Sequence, residues 1–278
     1  WDGEVLGLIG AIHEYKGRQE LFLRQKPAAL DKLVEIAKVQ STESSNKIEG
    51  VVTTATRIKQ LCSQKTTPRN RDEEEISGYR DALSLIQENY DYIPIKPSYI
   101  LQLHKVLYGY SQRDIGGRFK NTQNYIAETG DNGTQIIRFM PLAPYETPMA
   151  VEAICESYNR EADNGEVDPL ILIPAFILDF LCIHPFNDGN GRMSRLLTTL
   201  LLYRAGYAVG KYVSLESKIE KTKAGYYDAL GKSDVNWNSG ENDITPLIKY
   251  LLKIVLAAYR EFEEKVTIAE GKVSAAGM

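Results

Sequence analysis

The sequence predicts a mainly α-helical fold interrupted by one β-hairpin, and three observations carry that expectation. Apolar residues recur at helical spacing along most of the chain. One stretch alone, 116–141, gathers β-branched and aromatic residues on either side of Gly-Asp-Asn-Gly, a hairpin turn signal. The most apolar run, "LILIPAFILDFLCI" at 170–183, is too short to cross a membrane and carries Asp179, which fits a helix buried in a protein core.

Taken in order, Leu30, Leu33, Val34 and Ala37 share a helix face in the segment 30–51. A polar stretch, 59–72, broken by Pro68, then reads as a connection. The segment 71–90 begins with Asp72 to Glu75, acids placed where a helix dipole favours them, and reads as a solvated helix start. Pro97 opens the next helix, with Ser98 as its cap. The hairpin spans Tyr125 to Phe139, and Pro141, Pro144 and Pro148 close it. Helical patterning returns at Met149 and continues, with turns near Gly206 and across 233–243, into a final helix over 243–266. The tail 269–278 is expected to fray. No repeat or low-complexity segment interrupts this order.

The totals exclude several classes. A chain of 278 residues can bury a sizeable core. A net charge of −4 gives no support to a nucleic-acid footprint, which needs a basic surface. Cys62, Cys155 and Cys182 are odd in number and lack metal-ligand spacing, so they read as core residues of a reducing compartment. No membrane span and no secretion signal is legible after Trp1, and the expected location is cytoplasmic.

The chemistry concentrates in "HPFNDGNGRMSR", residues 184–195. Pro185 disfavours a helical His184, so the apolar helix ends there. Gly189, Asn190 and Gly191 permit backbone conformations closed to most residues and lead into a helix N-terminus, whose N–H groups form an anion site. Arg192 and Arg195, three apart in the first turn, lean over the same spot and would repel without a compensating anion; the guanidinium fork suits phosphate. Asp188, one step earlier, suits Mg²⁺ shared with bound phosphates. His184 can accept a proton near neutrality. A base, a metal and fixed positive charge describe transfer of a phosphorus group. The P-loop pattern is absent, and "GNGRMS" lacks both the preceding strand and the last glycine of a dinucleotide fingerprint. His13 and His104 stand outside any motif and read as surface or core residues.

These twelve residues resemble the signature of the Fic family, HPFx(D/E)GNGRxxR, at every fixed position. The resemblance implies a Fic-type helical bundle with a β-hairpin flap. It divides the chain into an N-terminal helical region at 1–94, a catalytic core at 95–232 and a C-terminal helical extension at 233–278. It implies transfer of AMP from ATP to a Ser, Thr or Tyr hydroxyl of a target protein, or of the enzyme itself. His184 would be the base and Asp188 the Mg²⁺ ligand. Gly189, Asn190, Gly191, Arg192 and Arg195 would hold the phosphates. "SSNKIEG" at 44–50 is similar to the family's inhibitory motif, with Ser45, Glu49 and Gly50 in the fixed places. Glu49 would pair with Arg195 and displace the ATP γ-phosphate. Ile136 and Ile137 would pin the target on the flap, and Tyr226 or Tyr227 would lie near the adenine. Two rivals stand beside this reading: removal of AMP, or transfer of another phosphorus-linked group, and a regulatory module that senses nucleotide. The sequence leaves homo-oligomerisation open.

Overall fold

The computed structural model describes residues 2–25, 27–129 and 134–276. Helix α1 (Gly3–Gln25) is followed by α2 (Pro27–Ile48), α3 (Ala55–Cys62), α4 (Arg71–Asn89) and α5 (Pro97–Leu107). Strands β1 (Ile126–Thr129) and β2 (Gln135–Phe139) form the hairpin. Then come α6 (Thr147–Asn164), α7 (Pro169–Ile183), α8 (Asn190–Arg204), α9 (Leu215–Lys221), α10 (Lys223–Ser233) and α11 (Thr245–Ala276). The mainly helical class with one two-stranded antiparallel sheet is what the pattern predicts. The Gly-Asp-Asn-Gly turn at 130–133 lies outside the described residues.

At the centre α7 and α8 pack on each other, and α4, α6 and α11 pack around them. Phe176, Phe180, Met193, Leu197 and Leu201 are buried in this middle layer. The same core runs from Val5 in α1 to Val266 in α11, so all three sequence segments contribute to it. Helix α2 lies against α4 and α9, and α1 against α11. Helices α4 and α5 approach so closely that a Cβ at Gly78 would lie 1.9 Å from the Leu107 carbonyl oxygen.

Several local expectations need correction. Part of the supposed connection at 59–72 is helix α3, capped by Thr54, whose hydroxyl accepts from the Arg57 amide. Lys96 caps α5 and Ser98 lies inside it, because Pro97 occupies the first helical position. The acids at 72–75 are not a solvated face: Glu73 and Glu75 are each 3% exposed. Arg57 donates to both oxygens of Glu73, at 2.8 and 2.5 Å, and that pairing lowers the carboxyl to about 2.

In the hairpin, Ala127 faces Ile137 and Glu128 faces Ile136, with an irregularity after Ile126. Phe139 is buried with its ring edge-on to Trp237, while Arg138 bonds both oxygens of Asp234 just beyond α10, at 2.9 and 2.7 Å. One end of the hairpin is therefore fixed to the bundle. Its outer part is open: Ile136 and Ile137 are 59% and 53% exposed. As neighbours on a strand they point to opposite faces.

Candidate active site

The signature forms the turn between α7 and α8. His184 closes α7 in the left-handed region, with φ 51°. That conformation is costly for a side-chain-bearing residue and persists only where its surroundings enforce it. Here the main-chain carbonyls are gripped one after another. Buried Lys120 donates through Nζ to Ile183 O at 2.9 Å and through its amide to Pro185 O at 2.8 Å. Asn124 donates to the carbonyls of His184 and Phe186, both at 3.1 Å. Asn190 accepts from the Phe186 amide at 2.9 Å and donates back to its carbonyl at 2.7 Å, closing the turn on itself.

Gly189 then caps α8 at φ 86° without a side chain, leaving the amides of the first turn uncapped. A Cβ there would also come within 3.0 Å of the Tyr108 ring. His184, Asp188, Gly189, Asn190, Gly191, Arg192 and Arg195 all line one cavity of about 350 Å³. Glu49, Tyr226 and Tyr227 line it too, so the distant motifs converge on the signature. Ser45 reaches it through Arg195, and Gly50 ends the segment 44–50 at φ 79°. Tyr226 is buried and Tyr227 is 43% exposed, their rings 5.3 Å apart. Ile136 and Ile137 do not line the cavity, although Ile126 and Arg138 of the hairpin do.

The His184 ring lies 3.2 Å through Nδ1 from the Leu181 carbonyl oxygen. Because a carbonyl only accepts, Nδ1 carries the proton and Nε2 keeps the lone pair. Burial lowers the imidazole to about 4, so it is neutral at physiological pH.

The two arginines do not share one spot, as their spacing suggested. Arg192, 2% exposed, turns toward Glu75 Oε2 at 2.7 Å and donates to the Tyr108 hydroxyl at 2.9 Å. Arg195 turns the other way. Its Nε donates to Ser45 Oγ at 2.8 Å and its Nη2 to Ser45 O at 2.9 Å and Glu49 Oε1 at 2.7 Å. Carboxylates from α4 and from the end of α2 balance the positive charge that was expected to need an anion.

Asp188 is bonded by Arg113 at 2.8 Å, with Arg71 at 3.5 Å and Arg192 at 3.6 Å. Burial works to raise its carboxyl, but the Arg113 hydrogen bond and the Arg192 charge outweigh that, and the net shift is downward. It stays ionised.

Sequence reasoning missed Glu75, Tyr108, Lys120, Asn124 and Arg113. Glu75 could have been found: with Tyr79, Ala82 and Ile86 it continues one buried stripe at helical spacing. His104 likewise falls among Ile100, Leu103 and Leu107. It is a core residue, as expected of it, but one in contact with the signature turn.

Residues 94–202 match the Fic/DOC family. Protein adenylyltransferase fic-1 of Caenorhabditis elegans is 28% identical over 188 residues, 66% of this chain and 32% of that protein. Protein adenylyltransferase Fic of Culex quinquefasciatus is 26% identical over 232 residues, 81% of this chain and 41% of its own. This chain thus spans roughly a third to two fifths of the length of these curated relatives. Among solved structures, a Fic domain containing signaling protein from Bacteroides thetaiotaomicron has the same fold, with a TM-score of 0.76 and 24% identity over 94% of this chain and 98% of that one. An unbroken signature, a shared fold and relatives aligned across most of the chain make residues 94–202 of this protein similar to the Fic/DOC family.

Proposed function

We propose that this protein is a protein adenylyltransferase, moving AMP from ATP to a Ser, Thr or Tyr hydroxyl of a target protein, and that Glu49 restrains it. The observation that carries the reading is the convergence of a neutral imidazole, an uncapped helix N-terminus and two buried guanidiniums on one cavity of nucleotide size. The names of the curated relatives support the same activity.

In the reaction, the target hydroxyl oxygen attacks the α-phosphorus and the bond to the pyrophosphate oxygen breaks. Nε2 of His184 takes the hydroxyl proton. The amides of Gly191 and Arg192, with the guanidiniums of Arg192 and Arg195, hold the charge of the departing pyrophosphate. Tyr226 and Tyr227 flank the base. The hairpin is the flap on which the target docks as an added strand, with Ile136 and Ile137 on opposite faces to grip its side chains.

Asp188 fits a Mg²⁺ site of the shared kind, being an ionised carboxylate on the cavity wall beside the phosphate-binding turn. Its present partner there is another cation, Arg113. A Mg²⁺ ion held by one or two carboxylates takes most of its ligands from ATP and water. When bound, the ion would neutralise phosphate charge. No helix among the described residues is long and apolar enough to cross a membrane; the unpaired cysteines support the cytoplasm as the proposed compartment.

Glu49 restrains the site by occupying Arg195 and the space over Gly191, where a Cβ would come 2.2 Å from Oε1. The γ-phosphate of productively bound ATP needs both. Incubation with α-³²P-ATP and Mg²⁺ tests the reading on parent, Glu49→Gly and Glu49→Gly with His184→Ala. Labelling of protein that is strong only in Glu49→Gly is expected. No labelling in any of the three, with ATP still bound, would refute AMP transfer and favour removal of AMP or nucleotide sensing.

A further inference from the structure

We propose that His104 is a positioning residue of this site, fixing the main chain of Asp188 so that its carboxylate faces the cavity in the orientation that metal-bound ATP requires. The inference rests on the adenylyl-transfer reading for its ligand, but its evidence is separate.

His104 sits on α5, one turn before Tyr108, and is 1% exposed. Its ring is parallel to that of Phe186, with centroids 3.7 Å apart and planes inclined by 2°. Both ring nitrogens are used. Nε2 lies 3.0 Å from the main-chain carbonyl oxygen of Asp188, and the Gly117 amide donates to Nδ1 at 3.0 Å. A carbonyl can only accept and an amide only donate, so these two partners dictate one tautomer, with hydrogen on Nε2.

The stack and the hydrogen bond grip the turn at Phe186 and at Asp188, two residues apart on either side of exposed Asn187. Lys120 and Asn124 hold the carbonyls from Ile183 to Phe186. Among the described residues His104 is the side chain that holds the carbonyl of Asp188. Tyr108, on the same face of α5, packs on Gly189 and accepts from Arg192. One face of α5 thus supports the start of the anion-binding turn. Partners of this kind commonly change metal affinity by about 10–100-fold when removed, because the ligand they orient becomes free to turn away.

The test uses the Glu49→Gly protein carrying His104→Phe, His104→Gln or His104→Asn. Phe keeps the stack on Phe186 and loses both hydrogen bonds. The Gln amide reaches the Nε2 position and keeps the donor to Asp188; the shorter Asn serves only the Gly117 side. Binding of Mn²⁺ in the presence of ATP is read by electron paramagnetic resonance, ATP binding without metal by calorimetry, and folding by thermal melting. In His104→Phe, Mn²⁺ binding is expected to weaken about 10–100-fold while metal-free ATP binding changes less than about twofold. Gln should recover most of the loss and Asn should not. Unchanged Mn²⁺ binding in a folded Phe variant would overturn the proposal, as would Gln and Asn variants that bind Mn²⁺ equally. If the Phe variant does not fold, the comparison of Gln with Asn decides. None of these measurements uses AMP transfer, so a Glu49→Gly protein that binds Mn²⁺ with ATP but labels no protein would refute the function and leave the role of His104 standing.

Discussion

His184, the proposed base, has its proton affinity lowered by burial more than by the neighbouring Lys120 charge, and the expected pH behaviour follows from that. A base works in its neutral form, so the rate is retained above its pKa and lost as pH falls through it. With the imidazole near 4 rather than 6.5, the initial rate of the Glu49→Gly enzyme should stay level from pH 8 to about 5.5. A rate that halves near 6.5 would mean that the ring is not kept dry. Glu49 is among the groups that favour the imidazolium, so its removal lowers the pKa further. The proposed restraint by Glu49 also has a residue-scale test. Ser45→Ala removes the hydroxyl that accepts from Nε of Arg195 and leaves Glu49 in place. Hydrogen bonds to charged groups are worth about 1.5–3 kcal/mol, so labelling should rise by about tenfold or more but stay below that of Glu49→Gly. The signature residues and Glu49 could be read from sequence because their spacing is fixed along the chain. The opposed directions of Arg192 and Arg195 could not, because their carboxylate partners come from α4 and α2.

At the scale of elements, α2 is docked through polar groups as well as through buried Leu30, Ala37 and Ile48. Ser41 donates to buried Glu216 at 2.7 Å and Ser44 to Glu220 at 2.7 Å, and Lys47 pairs with Glu220 at 2.6 Å. Lys223 donates to the last helical carbonyl, that of Ile48, at 2.6 Å. These contacts survive the loss of Glu49, so Glu49→Gly should free Arg195 while α2 stays in place. Its melting temperature is expected to move by only about 2–4 °C, the effect of roughly 1 kcal/mol in a chain of this size. A large drop would show that Glu49 itself anchors the helix. Helix α4 bears the larger structural loads. Glu73→Ala leaves Arg57 buried without its carboxylate and should cost about 3–5 kcal/mol in urea unfolding. Gly78→Ala puts a methyl group against the Leu107 carbonyl and must push α5 aside. Overpacking of this kind costs about 1–3 kcal/mol or more, and the displacement would carry His104 with it. The helical pattern of α4 was legible, but its acids misled, since charge at a helix start is solvated in most helices and here it meets Arg57 and Arg192.

Across the whole molecule, α1 packs along α11, which also packs on α7 and α10. Val5 and Ile12 enter the common core, Arg18 bonds Glu263 at 2.6 Å, and Lys249 pairs with Asp2 and Glu4. The continuous core means that the signature is supported by elements from both ends of the chain. The sequence by itself determined the helical class, the hairpin, the turn at 184–190 and the candidate residues that line the cavity beside it. Periodicity, turn residues and motif spacing are local, and a chain read in order displays them. The pairing of Glu49 with Arg195 was already implied by the motif resemblance. The tertiary structure alone decided which other charges face one another. It set Glu75 on Arg192, Arg113 on Asp188 and His104 beneath the turn. Those pairings depend on how helices remote in sequence cross, which is fixed by packing a shared core and leaves no mark in the spacing of the residues themselves.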